Sequence, residues 1–377
     1  MLGFFLQVYK KIDITVLLGM VMISLAGLFT MSSFGGGDAY FIKQGVWIFL
    51  AVVTFAVASS FDYRFLKQTR VVMGIYTVLL FVLTLLFILG HVSKGAQSWF
   101  TLGGFAFQPS DLMKLGLIII LAKYFSRRHI EIANIKHIIV SGVYAFIPFA
   151  LVVLQPDFGT AMVLFAIWFG LLLASGISFK HIVTVFIIGT VSFLLAWQFA
   201  FKPYQKARIK NFVNPLADIR GSGYNAYQST IAVGSGGLVG KGVGQGTQSR
   251  LNFLPEYKTD FIFAAYAEEW GFVGAVLLLV FFVVIFIKLA WYAYVADSPF
   301  EALFTYGVFI WFLTHVIINV GMNIGIMPIT GIPLPFMSYG GSHLLAEALA
   351  LGMAQAMYRY ARSGHKYHTK NEFLGLG

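Results

Sequence analysis

The stretch Leu254–Phe263, with the sequence LPEYKTDFIF, joins a long polar loop to a hydrophobic segment that continues to about residue 288. Its carboxylate residue Asp260 stands at the junction, so a charge lies where water meets an apolar helix. Charged residues inside membrane proteins are costly and generally mark a functional site. The stretch therefore indicates a membrane-spanning helix with a functional residue at its start.

Apolar segments like this one recur along the whole chain. The 377 residues are 59% hydrophobic and only 11% charged, which is too apolar for an ordinary soluble globular protein. The absence of cysteine excludes disulfides and thiolate metal sites. The scattered histidines show no ligand spacing, so no zinc site is expected. The sequence predicts an all-α, polytopic membrane protein, in which one domain covers residues 1–377.

We predict ten transmembrane helices from the apolar runs, each near or below the length of about 20 residues that a spanning helix needs. The predicted spans are approximately 12–34, 40–60, 71–90, 110–125, 138–154, 157–175, 182–201, 260–288, 302–327 and 339–359. A large extracytoplasmic loop of about residues 202–259 separates helices 7 and 8, and a short cytosolic tail covers about residues 362–377.

Basic residues set the orientation of these spans. One set of alternate connections is rich in lysine and arginine, including Lys10, Lys11, Arg64, Lys67 and Arg128. By the positive-inside rule this side is cytosolic, and ten spans then place both termini there. The net charge of +11 is explained by these membrane flanks and by anionic lipid headgroups, and no nucleic-acid partner is expected. The outer loop is also basic, either because long loops translocate regardless of charge or because it handles an anionic ligand.

Three carboxylates fall at the outer ends of spans four, six and eight, namely Asp111, Asp157 and Asp260, and we expect them to lie together. Helix capping is an alternative explanation for Asp111 and Asp157. Lys114 follows Asp111 by three residues, so the two share a helix face. This pair is either a buried salt bridge or a site where Lys114 meets a phosphate or orients a carboxylate.

The glycine-rich run 234–246 resembles a phosphate-binding loop at first sight. It lacks the spacing of a P-loop and of a dinucleotide-binding motif, so it predicts only a backbone that can approach a ligand closely. Lys241, Arg250 and Lys258 are near enough in sequence to supply cations for a pyrophosphate.

A second irregular segment lies between Pro328 and Ser342 and contains three prolines followed by SYGGS. Proline forbids a continuous helix here, and non-helical backbone at membrane depth must be buried in protein or face water. We expect this segment to line the same cavity as Asp260. Glu268, Glu269 and Glu347 are placed deeper, which leaves a transport function open.

Together these runs closely resemble the SEDS family (shape, elongation, division and sporulation), and its RodA branch more than its FtsW branch. The resemblance covers nearly the whole chain. The matching stretches include Gln108–Asp111 with Lys114, Gln155–Thr160, Gly223–Asn225, Phe253–Phe263 and Asn323–Gly341. The specific signals among them are the run LPE…TDFIF at 254–263 and the run SYGGS at 338–342.

The resemblance implies a peptidoglycan glycosyltransferase of the bacterial cytoplasmic membrane that polymerises lipid II into β-1,4-linked strands at the outer face during cell elongation. Its implied partners are lipid II, a class B penicillin-binding protein (transpeptidase) and other elongation-complex membrane proteins. Alternatives are a lipid II flippase or a non-catalytic scaffold for the penicillin-binding protein.

The resemblance also implies roles for individual residues. Asp260 matches the family's essential carboxylate, as a general base or as the ligand of a divalent cation (Mg or Mn). Asp111 stands where the family usually has Glu, and the loss of one methylene leaves its reach to Lys114 open. The implied substrate-binding residues are Lys114, Asp111, Asp157, Arg208, Lys241, Arg250, Glu256, Lys258, Gln228, Ser229 and Ser338.

Overall fold

Helices make up most of the chain in the computed structural model, which describes residues 12–32, 38–93, 96–102, 105–127, 135–214, 223–251 and 253–373. In chain order the helices are α1 (Ile14–Ser32), α2 (Asp38–Ser60), α3 (Thr69–Leu89), α4 (Pro109–Ser126), α5 (Ile135–Leu154), α6 (Phe158–Ala174), α7 (Phe179–Leu195), α8 (Pro203–Val213), α9 (Tyr224–Ser235), α10 (Thr247–Arg250), α11 (Ile262–Tyr294), α12 (Pro299–Asn323) and α13 (Gly341–Phe373). Lys10, Lys11 and Arg128, which were used for the orientation, lie outside the described residues.

The all-α polytopic class is confirmed, and every predicted span falls on a helix, from α1 to α7 and from α11 to α13. Within the described ranges, seven helical stretches are long and apolar enough to cross a membrane, and α6 is a shorter apolar helix. Helices α8, α9 and α10 occupy the loop predicted at about residues 202–259. The last helix continues to Phe373, so the predicted tail begins as an extension of α13.

A small antiparallel sheet precedes α4 and was not predicted. Its strands are β1 (His91–Ser93), β2 (Ala96–Leu102) and β3 (Phe105–Phe107), in the order β1-β2-β3. Strands β1 and β3 have only three residues each, and β2 (AQSWFTL) shows no regular alternation of polar and apolar residues, so periodicity did not reveal them.

The centre of the bundle is α4, which is buried on nearly all sides and packs against α3, α6 and α12. A helix that is apolar around its whole circumference is typical of a core position or of a lipid environment. Helix α7 illustrates the second case, because no described residue of it is buried. Asp111 and Lys114 therefore lie on a central helix, whereas α7 faces outward.

Helix α11 contains a break that the sequence analysis did not anticipate. Gly271 has φ 67° and ψ −166°, a conformation that favours glycine. The amides of Phe272 and Val273 donate to the carbonyls of Gly237 and Leu238, at 2.9 and 3.0 Å. The break thus lets the glycine-rich loop pack its backbone against α11.

A close approach also joins α1 to the irregular segment between α12 and α13. A Cβ atom built on Gly27 would lie 2.3 Å from the carbonyl oxygen of Met337, which is backbone and cannot rotate away. The absence of a side chain at Gly27 therefore allows α1 to lie directly against this segment.

We expect Gly27→Ala to lower the free energy of unfolding by about 1–3 kcal/mol, the usual cost of overpacking a well-packed interior. The matched control is Gly45→Ala on α2, where an added Cβ meets nothing within 4 Å. Thermal unfolding of the purified protein in detergent measures both variants. Equal midpoints for the two variants would contradict the close approach.

Candidate active site at one end of the bundle

Asp260 lies in the turn directly before α11 and is half-buried. Its main-chain carbonyl accepts hydrogen bonds from the side-chain amides of Asn319, at 3.0 Å, and Asn323, at 3.1 Å. Asn323 also accepts a bond from the amide of Ala264 at 3.0 Å, which satisfies one of the unpaired N–H groups at the start of α11. The backbone that carries Asp260 is therefore fixed by two side chains of α12.

The segment Pro328–Gly340 contacts this turn, as the sequence analysis expected. The hydroxyl of Ser338 donates to the carbonyl of Thr259 at 2.7 Å, and the amide of Tyr339 donates to the carbonyl of Lys258 at 2.9 Å. A Cβ atom on Gly331 would lie 3.6 Å from the Oδ2 atom of Asp260. The Asp260 carboxylate thus stands beside glycine backbone.

The other two outer carboxylates are linked through Gln108 and Ser342. The Gln108 side-chain amide donates to the Oδ2 atom of Asp157 at 3.0 Å. The Gln108 main-chain amide donates to the Ser342 hydroxyl, which donates to the Oδ2 atom of Asp111 at 3.0 Å. The start of α13 therefore connects the starts of α4 and α6.

Asp157 is an N-cap, so the capping alternative is confirmed for it. Its Oδ1 atom accepts from the amide of Thr160 at 3.0 Å, in the first turn of α6. A Cβ on Gly159 would lie 2.6 Å from the Thr330 carbonyl, so this cap touches the same segment as Asp260.

Asp111 and Lys114 form a buried salt bridge, with 2.9 Å between the Oδ1 and Nζ atoms and both side chains only 3% exposed. Asp111 therefore reaches Lys114, although it is one methylene shorter than the Glu that the resemblance leads us to expect. The Lys114 ammonium also lies 5.5 Å from the ring centre of Trp311. Both charges of this pair are already neutralised within the protein.

Lys241 is likewise paired, with Glu268, at 2.7 Å between the Nζ and Oε1 atoms. The fully buried Glu268 carboxylate also accepts from the amides of Gln248 and Ser249 at the start of α10. Glu269 accepts from the amide of Gly244 at 3.0 Å. These two acids hold the glycine-rich loop against α11, a role that the sequence analysis did not assign to them.

Glu347 has a similar contact with the proline-rich segment. Its Oε2 atom accepts from the amide of Phe336 at 2.9 Å, and Phe336 has a φ of 60°. His315 and His343 bond the carbonyls of Pro333 and Ser338 in the same segment. The deep polar side chains thus support the irregular backbone near Asp260.

Two predicted substrate-binding hydroxyls have structural partners. Ser229 is fully buried and donates to the main-chain carbonyl of Asn323 at 2.9 Å. Ser338 is also fully buried, bonding Thr259 as described and accepting from the amide of Leu334 at 2.8 Å. Neither serine faces an open surface.

The remaining predicted residues are more accessible. Arg208 is exposed on α8, and Arg250 is exposed with a weak bond of 3.4 Å to the Gly244 carbonyl. Glu256 is exposed and accepts from the Thr259 hydroxyl at 3.0 Å. Gln228 on α9 is half-buried, and its Oε1 atom has no hydrogen-bond partner in the described structure.

Sequence reasoning gave no site role to Asn319, Asn323, Gln108 and Ser342. Asn319 and Asn323 are four residues apart in an apolar helix, so they share a face. This spacing was the available signal. Their partner, the carbonyl of Asp260, could not be found without the tertiary arrangement.

A metal ion held by protein ligands alone has no support in the described ranges, where no three His, Asp or Glu side chains converge on one point. A magnesium ion held by one carboxylate and substrate phosphates needs no such cluster. A divalent cation at Asp260 therefore stays a prediction.

The fold defines a polytopic helical membrane protein with an acidic site at one end of its bundle, and sequence comparison identifies its family. The family model of the FtsW, RodA and SpoVE cell cycle proteins matches residues 7–363, and the chain belongs to this family. It is a peptidoglycan glycosyltransferase of the SEDS type.

Several relatives support this assignment. The peptidoglycan glycosyltransferase MrdB of Escherichia coli is 35% identical over 76% of this chain and 78% of its own length. The stage V sporulation protein E of Bacillus subtilis is 34% identical over 92% of this chain and 94% of its own.

Solved structures agree with the sequence comparison. The rod shape determining protein RodA of Thermus thermophilus has a TM-score of 0.70 and 27% identity, covering 92% of this chain and 96% of its own. A chain from a study of polymerization and crosslinking by a peptidoglycan synthase complex has a TM-score of 0.80 and 28% identity, covering 93% and 98%.

We expect Lys114→Met to lower the free energy of unfolding by about 3–5 kcal/mol, because it leaves the buried Asp111 carboxylate without its partner. The double variant Asp111→Asn with Lys114→Met should regain part of this loss, since no lone charge remains. Denaturation of the purified variants measures the coupling. Full stability of Lys114→Met alone would show that the pair does not stabilise the fold.

Proposed function

We propose that this glycosyltransferase polymerises lipid II into β-1,4-linked glycan strands at the outer face of the cytoplasmic membrane, with Asp260 as the general base. The observation that carries the proposal is the placement of Asp260. Its backbone is fixed by Asn319 and Asn323, while its carboxylate is half-buried beside Gly331. A general base needs such a fixed position within reach of the proton it removes.

The reaction joins two lipid II molecules. The 4-hydroxyl of the acceptor's N-acetylglucosamine attacks the anomeric carbon of the donor, and Asp260 takes the hydroxyl proton. The bond from the anomeric carbon to the diphosphate breaks, and its electron pair stays on the diphosphate oxygen. One displacement converts the α linkage of the donor into a β linkage, as single-displacement carboxylate enzymes do. Asp260 therefore acts on the nucleophile's side of the donor sugar.

The alternative function, transport of lipid II across the membrane, loses its main support. It depended on acids deep in the membrane, but Glu268, Glu269 and Glu347 are each bonded to backbone amides of the outer segments. A transport path needs polar groups that exchange partners with the substrate. Groups engaged in this way fit surface chemistry better.

The cellular setting is part of the proposal. The charge pattern of the sequence supports cytosolic termini and a site at the outer surface. The resemblance to MrdB and RodA supports a role in cell elongation. The similarity to a chain of a peptidoglycan synthase complex supports a class B penicillin-binding protein as the crosslinking partner, alongside other elongation-complex membrane proteins.

Asp260→Asn should abolish glycan-strand formation from purified lipid II, because an amide cannot take the hydroxyl proton. The thermal unfolding midpoint of this variant should stay close to that of the unaltered protein. The measurement is gel separation of labelled polymer, with and without a class B penicillin-binding protein. Asp62→Asn, on a carboxylate near α2 that bonds Arg64, is the control for loss of one acid and should polymerise normally. Polymer from Asp260→Asn at the rate of the unaltered protein would exclude the base role.

A further inference from the structure

The basic residues near the site differ in what already neutralises them. Lys114 is paired with Asp111, and Lys241 is paired with Glu268. Lys258, only two residues before Asp260, has no carboxylate within ion-pair distance in the part of the chain that the structure describes. Among the described residues, no carboxylate therefore cancels its charge.

Lys258 is held by tyrosine rings instead. Its ammonium lies 3.7 Å from the ring centre of Tyr40, at the start of α2, and 5.1 Å from that of Tyr257. Tyr339 meets Tyr40 edge to face, with 5.3 Å between the ring centres, and its amide bonds the Lys258 carbonyl. Three segments distant in sequence thus fix the position of one ammonium group.

This arrangement orients the ammonium and leaves its charge available. The ring face attracts the cation, yet the ring brings no negative charge of its own. An ammonium has three N–H donors, and the side away from the ring can donate to an anion. Lys258 is half-buried and Tyr40 is 41% exposed, so this side is accessible from the outer surface.

We propose that Lys258, held against the ring of Tyr40, which Tyr339 contacts in turn, forms the binding site for the diphosphate of the donor lipid. This inference rests on the proposed function. As the bond between the anomeric carbon and the diphosphate oxygen breaks, negative charge grows on that oxygen, and a cation held in place stabilises it. Asp260 receives the proton of the attacking hydroxyl, so base and cation lie two residues apart on one turn.

Variants of Lys258 test the charge. Lys258→Met should lower kcat/KM for lipid II about ten- to hundredfold, at or below the lower end of the losses seen when one oxyanion donor is removed. It should also weaken the binding of inorganic pyrophosphate, measured by calorimetry without turnover. Lys258→Arg should keep most of both, because arginine retains the charge and the ring contact. Lys210→Met, an exposed residue of α8, is the control for loss of one outer charge and should change neither.

Variants of Tyr40 test whether its ring positions the Lys258 ammonium. Tyr40→Phe keeps the ring and should keep the KM for lipid II, whereas Tyr40→Leu removes the ring face and should raise the KM several-fold. The inference is overturned if Lys258→Met and the unaltered protein have the same kcat/KM and the same affinity for pyrophosphate. If neither protein makes polymer while pyrophosphate binding still depends on Lys258, the proposed function fails and the anion site stands.

Discussion

Two asparagines on one face of α12 supply hydrogen-bond donors to the irregular backbone on which the site is built. Backbone polar groups at membrane depth need partners inside the protein, because lipid offers none. The turn at Asp260 is not helical, and the side-chain amides of Asn319 and Asn323 bond its carbonyl. Asn323 also bonds the start of α11 through Ala264, and its own carbonyl receives Ser229 of α9. Helix α9, the turn that carries Asp260 and the bundle thus meet at one residue, Asn323.

Buried carboxylates provide partners for backbone amides of the neighbouring segments in the same way. Glu268 and Glu269 bond amides of the glycine-rich loop, and Glu347 bonds the amide of Phe336. A buried carboxylate is tolerated when donors surround it, and hydrogen bonds to charged acceptors are stronger than those to neutral ones. Each acid therefore fixes a loop that has little regular structure of its own. The apolar helices provide the frame, and these polar contacts fix the loops at the end that carries Asp260.

The sequence predicted what depends on local pattern. Apolar runs located the spanning helices, and the spacing of three between Asp111 and Lys114 predicted their contact. The cap at Asp157 followed from Pro156 and the turn that it makes. The partner of Lys241 was not predictable, because Glu268 is 27 positions away and meets it only when the loop folds onto α11. The break at Gly271 was hidden for the same reason, since its cause is the backbone of Gly237 and Leu238.

The contacts of the lysines distinguish a charge that stabilises the fold from a charge that is available to a ligand. Lys114 lies in the interior, where an unpaired ammonium would be very costly, so its partner Asp111 is a requirement of the fold. Lys258 is half-exposed, and water and a ring face stabilise its charge with no carboxylate of the described residues in ion-pair range. Only a cation of the second kind can bind an anionic ligand without first breaking an ion pair. Because the energetic cost of exposing such a charge is small, the protein can keep it available beside Asp260 while the buried pairs hold the bundle together.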